Sequence, residues 1–261
     1  MDENLLWVKK HWNQTADSDW YRSLRTDKRI YELRQDPSVA FHPDVFALLR
    51  KYLPDLHNKQ ILLPSSGDNH AAFAFALMGA NVTSADISER QLAHAEQIAR
   101  QLGLDIRFVC EDTMHLSQIT DNTYDLVYTS NGTHTWISQL DAMYRNIHRV
   151  LKRDGLSIMY DVHPLQRPFT GEAWQQPTIR KAYDDILPDC HWRVQDLVNA
   201  QINAGLMIKE LAELPAVNAS FWFSYDELIQ QEPESLQKLN NWQHNPLAAL
   251  PSWLSIVSQK I

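Results

Sequence analysis

The sequence predicts a doubly wound α/β sheet. Between Lys59 and Val162, short apolar runs alternate with amphipathic stretches, the pattern of βαβ units feeding a parallel sheet. Caps and breakers stand where each run changes character. The chain, 261 residues with 44% apolar and 21% charged side chains, is long enough to bury the core such a sheet needs.

The elements follow in order. Gln60–Leu63 reads as the first strand, ended by Pro64, and Ala71–Met78 as a buried helix stopped by Gly79. Val82–Ala85 is a second strand finishing at Asp86. Ser88, with Gln91 three residues on, is a capping box for a helix that ends at Gly103. Ile106–Cys110 and Tyr124–Thr129 read as the third and fourth strands. Ile137, Leu140, Tyr144, Ile147 and Leu151 recur at helical spacing, with Gly155 expected just past that helix and Leu156–Val162 as the fifth strand. A later helix near Val194–Ala204 and strands near Met207–Leu211 and Trp253–Ser258 enlarge the sheet.

The flanks differ from this core. Eight of nine tryptophans lie outside it, Trp136 being the exception. Trp7, Trp12 and Trp20 sit in an N-terminal segment expected to be helical, whereas Trp174, Trp192, Trp222 and Trp242 lie in Pro-rich stretches expected to fold over a sheet edge.

Composition excludes several classes of function. With 24 basic against 32 acidic side chains, the formal charge is −8, the wrong sign for a duplex nucleic-acid binder. Cys110 and Cys190 are alone and far apart, so neither a disulfide framework nor a structural zinc site is expected. No metal is implied elsewhere. The acidic start, Met1-Asp2-Glu3-Asn4, leads into no apolar signal region, and no run of about 18 uncharged apolar residues would span a membrane. A cytoplasmic protein is expected, with sequons at Asn13, Asn81, Asn131 and Asn218 read as chance.

In an open α/β sheet, ligands bind beyond the carboxyl ends of the strands. Those ends carry Ser65-Ser66-Gly67-Asp68-Asn69-His70, then Asp86 nineteen residues after Gly67, then Asp112, then Ser130-Asn131-Gly132-Thr133-His134, and finally Asp161-Val162-His163. A small-residue turn can approach a ligand closely, an acid after the second strand can accept a ribose diol, and Asp112 or its backbone can accept an adenine amino group. A dinucleotide needs G-x-G-x-x-G; here Gly67 stands alone and Asp68 would face the phosphates as a like charge. A sulfonium cofactor without phosphates fits these residues better.

The run from Ile61 to Pro164 resembles class I S-adenosylmethionine-dependent methyltransferases. The resemblance rests on Ile61-Leu62-Leu63-Pro64-Ser65-Ser66-Gly67, Val82-Thr83-Ser84-Ala85-Asp86-Ile87-Ser88, Glu111-Asp112-Thr113, Asp125-Leu126-Val127-Tyr128 and Val150-Leu151-Lys152-Arg153-Asp154-Gly155. It departs from the family's D-x-G-x-G-x-G at Leu63, Ser65 and Asn69. The resemblance implies a Rossmann-like sheet of seven strands, mostly parallel with the last antiparallel. It also implies one domain divided into an N-terminal helical cap (1–56), a cofactor-binding core (57–162) and substrate-side additions with the last strands (163–261).

Carried over by position, Ser65, Ser66 and Gly67 would line the methionine end of S-adenosylmethionine. Asp86 would take the ribose, Ile87 the adenine face, Asp112 and Thr113 the adenine edge, and Ser130 and Asn131 the amino acid moiety. His134 is the expected base. Trp12, Trp20, Tyr21 and His163 are placed on the substrate side, and Arg167 could hold an anionic acceptor. The implied activity is methyl transfer to a small molecule, by a monomer or homodimer. The alternatives are a methyltransferase-like binder without turnover and, less favoured, a nicotinamide oxidoreductase.

Overall fold

The computed structural model describes residues 3–170, 173, 175–187 and 189–261; Met1, Asp2 and Trp174 of the expectations above lie outside the described residues. Seven strands form one sheet: β1 (Gln60–Pro64), β2 (Asn81–Asp86), β3 (Ile106–Cys110), β4 (Tyr124–Thr129), β5 (Leu151–Val162), β6 (Leu206–Leu214) and β7 (Trp253–Lys260). Their order is β3-β2-β1-β4-β5-β7-β6. Neighbours from β3 to β5 pair in parallel, while β7 runs antiparallel to both β5 and β6. The chain steps outward from β1 to β3 and then returns to lay β4 on the other side of β1. That reversal opens a crevice at the carboxyl ends of β1 and β4.

Alternation along the strands builds two cores. Ile61 and Leu63 face one layer, together with Phe73 and Phe75 of α5 (His70–Leu77), Ile98 of α6 (Glu89–Leu102), and residues of α3 (Asp27–Gln35) and α4 (Pro43–Tyr52). Leu62 and Val127 face the other, with Met143, Tyr144 and Ile147 of α7 (Leu140–Val150) and Leu197 of α8 (Val194–Asn203). The N-terminal helices therefore divide. α3 and α4 complete a core layer, whereas α1 (Glu3–Thr15) and α2 (Asp19–Leu24) lie over the crevice. No helix of the described residues is long and apolar enough to cross a membrane.

Local signals place most elements within a residue or two. Ser88 caps α6 by accepting Gln91 N at 3.1 Å, and Gly103 ends it in the left-handed region at φ 69°. The capping box is only half made, because the Gln91 side chain accepts from Arg25 instead, at 3.3 Å.

The largest difference from expectation lies between α7 and β5. Leu151 opens β5, paired with Tyr124, and Gly155 sits inside the strand at a register shift, not past a helix end. A Cβ on Gly155 would stand 2.9 Å from Lys152 O and 3.0 Å from Tyr124 O. The glycine is there for close backbone approach, which sequence spacing alone does not separate from a helix C-cap. Gly155→Ala is expected to cost about 2 kcal/mol, read as a lower urea midpoint, because both obstructing atoms are backbone.

Candidate functional site

A cavity of about 360 Å³ lies at the ends of β1 to β4 beneath α1 and α2. Ser65, Ser66, Gly67, Asp86, Ile87, Asp112, Thr113, Ser130 and Asn131 all line it, as do Trp12, Trp20 and Tyr21. Topology brings them together: each belongs to, or directly follows, a strand that ends at the crevice, or belongs to the helices above it.

The turn after β1 keeps its shape with few glycines. Ser65 and Gly67 both have φ 51°, a region that costs a non-glycine residue roughly 1–2 kcal/mol. Ser65 is anchored by a 2.6 Å hydroxyl bond to Thr113, and Ser66 by a 2.6 Å hydroxyl bond to Ser84. Asn69 caps α5 by accepting Ala71 N at 2.8 Å and donates to Ser130 Oγ at 2.6 Å. Polar side chains thus tie the turn to β2, β3 and β4.

Asp86 joins two of these strand ends. Its Oδ2 accepts Gly67 N and its Oδ1 accepts Ser88 N, each at 2.8 Å. Each oxygen keeps accepting capacity for a further donor in the cavity. Burial lifts its pKa to about 6, against the pull of those N–H groups. Asp112 accepts Met114 N at 3.0 Å and leans on the His115 ring, which fixes the loop after β3.

The roof is latched by a residue that sequence reading overlooked. Arg25, just after α2, pairs through Nε with Asp68 in the β1 turn; their side chains are 12% and 5% exposed. Its other nitrogens donate to Ala16 O at 2.7 Å and to Gln91 Oε1 at 3.3 Å, and its guanidinium lies 5.6 Å from the Tyr21 ring centroid. Asp68 is therefore neutralised, which removes the like-charge argument against phosphates. A pairing across 43 residues leaves no local pattern to read. Tyr21 stays protonated, its hydroxyl held high by burial and by Asp68 and Asp86.

Aromatic packing holds the other side of the roof. Trp136, a cavity residue from the turn after β4, stacks on His11 at 5.0 Å and meets Trp12 edge-on at 5.1 Å. Asn13 completes the attachment, accepting from Ser88 Oγ at 2.7 Å.

Two expected residues stand elsewhere. His134 does not line the cavity: Nδ1 bonds Asp161 at 2.8 Å, Nε2 bonds Tyr144 at 2.9 Å, and the ring is buried. Burial would lift the Asp161 carboxyl, but the His134 contact, Arg167 and the Gly132 N–H outweigh it and hold the carboxyl low. His163 is buried against Glu213 at 3.0 Å and caps a short turn through Leu165 N. The imidazole that does line the cavity is His70, at the start of α5. Its Nε2 has no hydrogen-bond partner among the described residues, and burial lowers its pKa. Among the described residues, no cluster of metal-ligating groups occurs.

Comparison with known proteins agrees with this architecture. Residues 64–155 match the family model described as a methyltransferase domain, a stretch that lies within the region whose sequence resembles a class I methyltransferase core. An uncharacterized methyltransferase of Bacillus subtilis (strain 168) is 28% identical over 131 residues, 50% of this chain and 51% of that protein. The match thus spans about half the length of that curated relative.

Among solved structures, an S-adenosylmethionine-dependent methyltransferase from Mesorhizobium loti aligns with a TM-score of 0.59 and 22% identity, covering 82% of this chain and 97% of that one. Geranyl diphosphate C-methyltransferase from Streptomyces coelicolor A3(2), solved with Mg²⁺, geranyl diphosphate and S-adenosyl-L-homocysteine, gives 0.64 at 12% identity, covering 100% and 99%. These likenesses show the fold: seven strands with an antiparallel β7, not the six parallel strands of a dinucleotide domain.

Arg25→Ala leaves a buried Asp68 carboxylate without its partner. It is expected to lower unfolding stability by about 3 kcal/mol and to speed hydrogen exchange in α1 and α2 relative to α7. Unchanged exchange in α1 and α2 would show that the latch does not hold the roof.

Proposed function

We propose that this chain is a methyltransferase that binds S-adenosylmethionine in the cavity beneath α1 and α2 and methylates a small-molecule acceptor. The observation that carries the reading is Asp86. A buried carboxylate at the end of β2, with both oxygens fixed by backbone N–H groups and still able to accept, is suited to a ribose diol.

The remaining lining fits the same ligand. Ile87 and Ile137 offer apolar surface for a purine, and Asp112 and Thr113 offer polar atoms at its edge. The Ser65-Ser66-Gly67 turn and the Asn69–Ser130 pair lie where an amino acid moiety would be held. The volume falls within the usual range for small-molecule sites, roughly 300–1,000 Å³.

Bound there, S-adenosylmethionine supplies an electrophilic methyl carbon on a sulfonium. The chain's own contribution is alignment and exclusion of water, which an in-line displacement at carbon chiefly requires. Trp12, Trp20 and Tyr21 close the cavity with aromatic surface, and Arg25 holds their helices down. His134 serves as a positioning residue: it fixes Asp161, whose Oδ1 accepts Gly132 N at 2.9 Å and so shapes the β4 loop. Where an acceptor must lose a proton, the reading assigns acceptance to His70, neutral and on the cavity wall.

Calorimetric titration with S-adenosylhomocysteine tests the binding half. Micromolar affinity is expected, reduced by about thirtyfold, or about 2 kcal/mol, in Asp86→Ala. Because the carboxylate must be ionised to accept both hydroxyls, affinity is expected to hold above pH about 6 and to fall tenfold per unit below it. Binding that ignores both the substitution and pH would remove Asp86 from the site.

Single-turnover transfer of labelled methyl groups to a small-molecule panel separates the histidines. His70→Gln is expected to slow transfer with the fold intact. His134→Ala is expected to lower the melting temperature by removing the imidazole's bonds to the buried Asp161 carboxylate and Tyr144 hydroxyl, at about 3 kcal/mol.

A further inference from the structure

The segment after β5 holds a largely enclosed guanidinium beside a buried carboxylate. Arg167 has a side chain only 24% exposed, yet its guanidinium makes no hydrogen bond among the described residues. The carboxylate beside it, Asp161, stands 3.8 Å away. Asp161 is already engaged: its oxygens accept Gly132 N at 2.9 Å, His134 N at 3.0 Å, Val162 N at 2.7 Å and His134 Nδ1 at 2.8 Å. A guanidinium carries five donors in a fixed fork, suited to take up a carboxylate or phosphate oxygen.

A second group points to the same place. His191 lines a small void together with Arg167, is 7% exposed, and has a buried Nδ1 with no partner among the described residues. Its Nε2 lies 3.6 Å from Asp189 Oδ2. Burial, with the charges of Arg167, Lys181 and Arg180 nearby, pushes its pKa down to about 4, so the ring is neutral and its surroundings are electropositive. Lys181 and Arg180 are themselves tied to backbone carbonyls, at 3.0 and 3.2 Å, which keeps their charge beside this segment. The void measures about 10 Å³, room for one oxygen-sized atom.

We infer that Arg167 and His191 form an anion subsite that takes a terminal oxygen of a carboxylate or phosphate. Arg167 supplies charge-assisted donors, and the neutral His191 ring adds one N–H in the tautomer protonated at Nδ1, since Asp189, exposed and 3.6 Å from Nε2, makes no hydrogen bond that holds the proton there; Asp161 turns its oxygens to His134 and three backbone N–H groups. The subsite abuts the larger cavity, since Asp161 links Arg167 to Gly132, a residue of the cavity wall. The oxyanion is either a free anion or the charged end of the methyl acceptor; only the second source rests on the function proposed above.

Thermal melts of the full chain with sodium phosphate and sodium acetate, at ionic strength matched with sodium chloride, test the subsite. Both anions are expected to raise the melting temperature saturably in the wild type. Arg167→Met is expected to abolish the rise, and Arg167→Lys to weaken the apparent affinity by about fivefold or more. In the wild type, the His191 imidazole ¹⁵N resonances, identified by their loss in His191→Gln, are expected to move along the same phosphate titration. No saturable rise, an equal rise in Arg167→Met, or stationary His191 resonances would each overturn the inference, the last even if Arg167→Met fails to fold.

Methyl transfer to a panel of small acids and their matching amides identifies the source. Transfer confined to the acids places the oxyanion on the acceptor, whereas equal transfer to both with phosphate binding intact makes it a free anion. S-adenosylhomocysteine binding without any phosphate effect would sink the subsite and leave the cofactor reading standing; the reverse result would do the opposite.

Discussion

The site depends on a single buried carboxylate. Asp86 cannot leave the end of β2 without freeing Gly67 N on one side and Ser88 N on the other. The first of these fixes the turn after β1; the second fixes the start of α6. Because Ser88 also caps α6 and donates its hydroxyl to Asn13 of α1, the same knot reaches the roof of the cavity. Burial makes the charged form costly, and the two N–H groups offset only part of that cost. A further pair of hydroxyl donors would supply what the protein alone does not.

Around that knot the chain replaces backbone permissiveness with side-chain bonds. The family pattern places glycines where this chain has Ser65 and Asn69. Ser65 adopts the left-handed turn regardless, held by Thr113, and Asn69 turns its side chain into both a helix cap and a bridge to Ser130. Asp68, an awkward charge in such a turn, becomes the anchor for Arg25. The departures from the motif are therefore coupled to partners on β3, β4 and the roof. They change how the turn is held rather than whether it forms.

Much of this was legible because it is local or topological. Ser88 and Gly103 bound α6 through cap chemistry confined to a few residues, and the ends of β1 to β4 come together where this doubly wound sheet reverses its order. What was not legible depends on partners distant in sequence. Arg25 carries no signal until α2 is laid over the β1 turn. His134 follows β4 as expected, but only the fold shows that its ring turns inward to Asp161 and Tyr144, away from the cavity. Gly155 looks like a helix terminator in sequence and is instead a point of close approach between β4 and β5. Arg167, a candidate holder of an anionic acceptor in sequence, is largely enclosed beside His191, whose place next to it no local pattern shows.

The most direct measurement is a crystal structure of the chain grown with S-adenosylhomocysteine. The account predicts the ligand beneath α1 and α2, its ribose hydroxyls on the Asp86 carboxylate, its purine against Ile87 near Asp112 and Thr113, and its amino acid end at the Ser65–Gly67 turn. Density for the ligand in another cleft, or a cavity that stays ligand-free at saturating concentration, would contradict it.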